Sequence, residues 1–262
     1  MNRGLFGNNG YTAIVIAAGL SSRMDDFKPL LDIGEKPALF RLLDAIDAAG
    51  IERIAVVTGH GHETIEHALA NRSLERSAGS RLSGRYSHET HGVCSAASDT
   101  SIDLVFNEVY ESGMFSSIQT GIRRIAAPPA ANADPSVIAS EAKQSTEPTG
   151  AGNVRAALLF PVDVPLVSAE TIRGLIAAYE EGGASGFAVP VFRGKNGHPL
   201  LIPRAYFGEI LDYAGGDGLK AVRNRHDAEM IRYETEDEGC VLDMDTPEDY
   251  KRILEYDKRN RL

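Results

Sequence analysis

The chain has 262 residues, 43% of them apolar and 24% charged, with a formal net charge of −10 at pH 7. That length allows one large α/β domain or two small ones with an ample core, and the acidic balance excludes a general affinity for nucleic acid or anionic membrane. With no run of 18 apolar residues, and neither a basic start nor an apolar core in residues 1–10, no membrane span or signal peptide is expected and the chain reads as cytoplasmic.

The first predicted element is Thr12–Ala17, an apolar, β-branched run that reads as a buried strand. At Ala18 and Gly19 it opens into a polar loop holding two hydroxyls, Ser21 and Ser22, and two cations, Arg23 and Lys28. Small residues let backbone N–H groups reach an anion, and cations neutralise its charge. The local pattern fits a phosphate site and an ordinary turn equally. It has neither the P-loop nor the G-x-G-x-x-G spacing. A helix is predicted to begin near Pro37 and to stop at Gly50, with Leu39, Leu42, Leu43 and Ile46 on one stripe. Arg53–Thr58 reads as a second buried strand ending at Gly59, followed by a short helix with Ile65, Ala68 and Leu69 inward. His62 and His67 lie five apart, which turns their rings away from each other on a helix, so surface or helix-end histidines are favoured over a metal site.

Residues from about 73 to 100 are rich in Ser, Arg, Gly and His, show no period, and read as a long loop. The alternation resumes with the strand Asp103–Phe106, Asn107, a loop at 111–117, and a helix carrying Ile118, Ile122 and Ile125. A second irregular stretch, about 127–153, also reads as an insertion. Beyond it come the buried strand Ala156–Phe160, the segment Pro161-Val-Asp-Val-Pro165, a helix over Thr171–Glu181 and a strand over Phe187–Phe192. A turn-rich loop, 193–199, leads to Leu200–Ile202; a helix opens at Gly215-Gly-Asp-Gly218 and a strand covers Glu229–Glu234. The last helix is expected to start with Thr246 as N-cap, Pro247 at its first position and Asp249 in a capping box. The strand–helix alternation predicts one α/β domain over residues 11–258, built on a mostly parallel central sheet.

In such sheets ligands collect at the carboxyl ends of the strands. Asp163, directly after an apolar strand and between two prolines, is therefore favoured as a Mg²⁺ ligand over a turn aspartate. Asp243 and Asp245 alternate onto one side and fit a metal pair or a solvated turn equally. Carboxylates for a metal together with cations for phosphates are the equipment of phosphoryl or nucleotidyl transfer. Ser116 and Ser117 lack the G-x-S-x-G context of a hydrolase, and His198 reads first as a turn residue. Cys94 and Cys240 cannot form a zinc site by themselves.

The stretch Ala17-Ala-Gly-Leu-Ser-Ser-Arg-Met24, with Lys28 after it, resembles the A-A-G-x-S-x-R-M-G-x-x-K opening of the molybdenum cofactor cytidylyltransferases, within the MobA-like NTP transferase superfamily. Four further segments resemble that family's motifs in the same order: Glu111–Ser117, Pro161–Pro165, Gly197–Leu200 and Asp243–Asp249. The resemblance implies a single Rossmann-like three-layer domain of nucleotidyltransferase type. It implies transfer of CMP from CTP to molybdenum-loaded molybdopterin, with Mg²⁺ or alternatively Mn²⁺ as cofactor and a molybdoenzyme or its chaperone as partner. Ala17, Ala18, Gly19, Ser21 and Ser22 would hold the triphosphate, Arg23 its outer phosphates and Lys28 the α-phosphate. Asp163, Asp243 and Asp245 would hold the metal. Gly59, Asn107, Gly113 and Ser117 would flank the nucleotide, and Asn196 and His198 would face the acceptor. Asp25 departs from the family's usual glycine, and the two insertions exceed its usual length. Guanylyl transfer, another phosphorylated acceptor such as a sugar or alcohol phosphate, and a non-catalytic pterin carrier are the competing readings.

Overall fold

The computed structural model describes residues 10–19, 26–83, 100–127 and 154–260, with the backbone alone over 74–83. Its strands are β1 (Tyr11–Ala17), β2 (Asp32–Ile33), β3 (Lys36–Pro37), β4 (Arg53–Thr58), β5 (Ser101–Phe106), β6 (Ala156–Pro161), β7 (Ala188–Phe192), β8 (Lys195–Asn196), β9 (Leu200–Pro203) and β10 (Ile231–Glu234). The helices are α1 (Ala38–Ala48), α2 (His62–Ser83), α3 (Met114–Ala126), α4 (Ala169–Glu181), α5 (Phe207–Asp212), α6 (Gly218–Arg225) and α7 (Pro247–Asn260). One main sheet has the order β10-β7-β9-β6-β1-β4-β5, with β8 paired to β7. β4 and β6 flank β1 in parallel, β5 extends β4 in parallel, and β9 runs antiparallel between β6 and β7. The expected α/β domain with a mostly parallel sheet is what forms.

The apolar runs of β1, β4 and β6 do not alternate with polar residues because both sheet faces are covered. Ala13, Val15 and Ala17 pack into one core with α1, α2 and α4, while Ile14 and Ile16 point into the other, with α3, α5 and α6. Leu39, Leu42, Leu43 and Ile46 are the buried stripe of α1, and each contributes roughly 1.5–3 kcal/mol by leaving water. A third cluster, Ile33, Ala38, Met244 and Ile253, fixes α7 against β2. The capping box of α7 forms as expected: Asp249 N donates to Thr246 Oγ1 (3.2 Å) and Thr246 N to Asp249 Oδ2 (3.0 Å).

One expectation is corrected: the helix beginning at His62 continues to Ser83, through residues 73–83 of the stretch read as loop. The helix expected near Pro37 starts at Ala38, with Pro37 as its N-cap. The rest of the first insertion, residues 84–99, and most of the second, 128–153, lie outside the described residues, as does Cys94.

From β1 the chain builds outward through β4 to β5, then returns to place β6 on the opposite side of β1. That reversal opens a crevice outside the carboxyl ends of β1 and β6, the place where doubly wound sheets take ligands. Because β9 is antiparallel to both β6 and β7, the β7–β8 turn and the start of β9 lie at this same end.

Candidate active site

At the crevice lie Ala18 and Gly19, which follow β1, and the turn that leaves β6. Ala18 is buried, while Gly19 is exposed, and among the described residues nothing lies within 4 Å of where its Cβ would stand. Ser21, Ser22, Arg23 and Asp25 lie outside the described residues. After β6 the chain stays latched to β1, with Val162 N donating to Ile16 O at 3.1 Å, and turns through Val164 N to Pro161 O at 3.2 Å. This turn holds Asp163 at the strand end.

A second loop is tied to the first. Met244 N donates to Asp163 O at 2.9 Å, and the Met244 side chain is fully buried. With Met244 anchored inward, Asp243 and Asp245 on either side of it approach Asp163. Lys28, at the start of a 3-10 turn after the β1 loop, places Nζ 2.9 Å from Asp245 Oδ1. Sequence positions 28, 163, 243 and 245 therefore meet at one end of the sheet.

Burial first, and then the Asp245 and Asp243 charges, push the Asp163 carboxyl above the usual range, against the opposing pull of Lys28. Asp243 is likewise raised, by desolvation and then by Asp245 and Asp249, with Lys28 and Arg252 opposing. Three carboxylates gathered beside Lys28 form an oxygen-rich set, which suits a hard divalent cation. They do not close into a ready cage: among the described residues no group of three or more His, Cys, Asp or Glu side chains is arranged to hold a metal. Magnesium needs only one or two carboxylates when phosphate oxygens supply the rest.

The loop after β5 works differently. Asn107 is buried; its Nδ2 donates to Ser116 Oγ and Ser117 Oγ, both at 2.9 Å, and its Oδ1 accepts Val109 N at 3.2 Å. Through these bonds Asn107 and Ser117 brace the loop. Gly113, at φ 107°, presents the loop's exposed turn. Gly59 is required by packing, since a Cβ there would lie 2.4 Å from Tyr110 Cγ. His62 starts α2 and bonds Thr58 Oγ1 at 2.7 Å, the helix-end place expected of it.

On the far side, Asn196 is exposed in β8. His198 N donates to Cys240 O at 2.8 Å, which pins the β8–β9 connection to the 238–241 turn. Its Nδ1 is enclosed without a hydrogen-bond partner among the described residues, and burial, then the nearby Arg223, lowers the ring's pKa to about 4. Burial also pushes the Cys240 thiol up to about 12, which makes it inert at neutral pH. Sequence reasoning missed Arg223 beside His198 and Arg252 beside Asp243. Only the i, i+3 spacing of Asp249 and Arg252, an ion pair at 2.6 Å, offered a local signal.

Comparison with known proteins gives three kinds of match. A segment of 64 residues is 36% identical to the bifunctional protein GlmU of Staphylococcus epidermidis, but it covers 24% of this chain and 14% of that protein. Among solved structures, Rv0371c of Mycobacterium tuberculosis superposes with a TM-score of 0.61 at 23% identity, covering 94% of this chain and 97% of that one. A further crystal structure of Rv0371c is a complex with manganese. A nucleotidyl transferase from Methanothermobacter thermautotroptrophicus gives 0.63 at 19% identity, covering 96% and 99%. At these identities the likeness speaks for the fold. The MobA-like NTP transferase domain model matches residues 13–230, most of the chain. The chain therefore belongs to the MobA-like NTP transferase family.

Proposed function

We propose that the chain transfers CMP from CTP to molybdenum-loaded molybdopterin and releases pyrophosphate. The observation that carries the reading is the meeting of Lys28 with Asp163, Asp243 and Asp245 at the switch point between β1 and β6. The five ordered motifs, including Arg23 and the 17–24 loop, support the same chemistry.

An oxygen of the acceptor's phosphate attacks the α-phosphorus of the triphosphate. The bond from the α-phosphorus to its bridging oxygen breaks, and pyrophosphate leaves with that electron pair. Backbone N–H groups around Ala18 and Gly19, with Ser21 and Ser22, hold the triphosphate, and Arg23 takes its outer phosphates. Lys28, positioned by Asp245, offsets charge developing on the α-phosphate. Asp163 with Asp243 or Asp245 would ligate Mg²⁺ or Mn²⁺, which when bound neutralises phosphate oxygens and aligns them. Gly113 and its loop flank the base, and Asn196 and His198 face the acceptor. The product would pass to a molybdoenzyme or its chaperone.

The test is pyrophosphate release with each of the four triphosphates, with and without molybdenum-loaded pterin. The reading expects release with CTP and the pterin together. Release with GTP alone replaces cytidylyl by guanylyl transfer. Release only with a sugar or alcohol phosphate reassigns the acceptor, and no release with any combination favours a pterin carrier.

A further inference from the structure

The β7–β8 turn, the 238–241 turn and α7 enclose a cleft of about 350 Å³, within the size range of small-molecule sites. It adjoins the carboxylate cluster. Leu242 lines it and the next residue is Asp243, while Arg252 lines it and its charge reaches the Asp243 carboxyl.

The lining holds four cations, Arg193, Lys195, Arg252 and Arg259, against two carboxylates, Glu238 and Glu255. In a chain of net charge −10 this is a local reversal of sign. Arg252 is engaged by Asp249. Arg193 and Arg259 are held on rings instead: their guanidinium carbons lie 5.0 Å from the Phe192 centroid and 6.0 Å from that of Tyr256. A guanidinium stacked on a ring keeps its in-plane N–H donors directed outward, where they can fork onto a carboxylate or phosphate. Arg193 and Gly194, at φ 48° and 78°, are the two central residues of the tight β7–β8 hairpin, and this left-handed turn fixes the backbone from which the Arg193 side chain projects.

We infer that this cleft binds the acceptor through a second anionic group on a flat ring system, distinct from the phosphate that attacks the triphosphate. The assignment rests on the nucleotidyl-transfer reading. The ring lies against Phe192 or Tyr256, and Arg193 and Arg259 clamp the anion. The attacking phosphate then extends past Leu242 toward Asp243 and Lys28.

The probe is pterin-6-carboxylate, a planar fluorescent anion, titrated into the intact protein. Saturable binding is expected, weakened about tenfold or more in the double variant Arg193→Asn/Arg259→Gln. Asparagine tolerates the left-handed backbone at 193, so the variant removes charge without forcing the turn. Arg193→Lys/Arg259→Lys should restore a large part of the affinity. Magnesium–CTP should not displace the probe. Equal affinity in the Asn/Gln variant, no binding at all, or displacement by CTP would each overturn the inference. Turnover separates the two readings. A protein that binds the probe in the cleft but transfers no nucleotide sinks the acceptor assignment together with the transfer reading. One that transfers CMP with an unchanged acceptor KM in the double variant sinks the cleft alone.

Discussion

On one side of β1 the sheet continues through β4 and β5, all parallel, and its carboxyl-end loops work through backbone and shape. Gly59 leaves room for Tyr110, Gly113 turns at positive φ, and Asn107 spends its amide bracing Ser116 and Ser117. The same wing exposes apolar side chains, with Val109 61% and Met114 58% accessible. On the other side β6, β9, β7 and β10 mix directions, and their loops carry charge: Asp163, the Asp243 and Asp245 pair, and the cationic cleft beside α7. In the proposed reaction the two wings divide the labour, one supplying a surface for the base and the other the groups that handle metal and acceptor. Lys28 joins them, because it follows β1 yet bonds Asp245.

The largest test of the charged wing is Asp163→Ala. We expect pyrophosphate release to fall about a thousandfold, as for other charge-stabilising groups, with no loss of thermal stability, because desolvation and then the Asp245 and Asp243 charges disfavour the ionised carboxyl that is removed. Undiminished turnover would take Asp163 out of the mechanism. Lys28→Ala, which cuts the link between wings, should lower kcat about a hundredfold, and equal rates would detach the β1 loop from the chemistry.

Gly59→Ala attacks the other wing. The added Cβ must push Tyr110 aside, at a cost of about 1–3 kcal/mol in denaturant titrations, and the KM for CTP should rise more than that for the acceptor. If the acceptor KM rose more, the division of labour would be misassigned.

The enclosed ring of His198 makes a pH prediction. Its pKa is held at about 4 against an ordinary 6.5, so between those values the unfolded chain takes up a proton that the folded chain refuses. Stability should therefore fall as pH drops from 6.5 toward 4, by on the order of 2 kcal/mol. His198→Gln should remove that part of the slope in urea titrations at pH 7 and pH 5; an unchanged slope would assign it to other groups. The smallest effect expected is Thr246→Ala, which deletes the α7 cap and should cost about 1 kcal/mol, read as a lowered unfolding midpoint.

Much of this was legible in the chain because the strands flanking the site are buried on both faces, and their unbroken apolar runs announce it. Asp163 was legible for the same reason, as the acid that follows such a run. The far end of α2 was not: beyond Leu69 it carries Arg, Ser and Gly with no apolar stripe, and a helix once nucleated can propagate without one. The direction of β9 was hidden because Leu-Leu-Ile reads alike in either orientation. The bracing role of Asn107 depends on partners nine and ten residues away, and the cleft on residues from three separate segments, so neither leaves a local pattern. Ser21, Ser22 and Arg23 remain assignments by motif.

The central claim is nucleotidyl transfer at the Lys28 and Asp163 crevice, and its most direct test follows the label from CTP carrying radioactive phosphorus at the α or the γ position. The account predicts that α-label moves to the acceptor while γ-label leaves in pyrophosphate, with both transfers lost in Asp163→Ala. Transfer of γ-label to the acceptor, or α-label transfer that persists without Asp163, would contradict it.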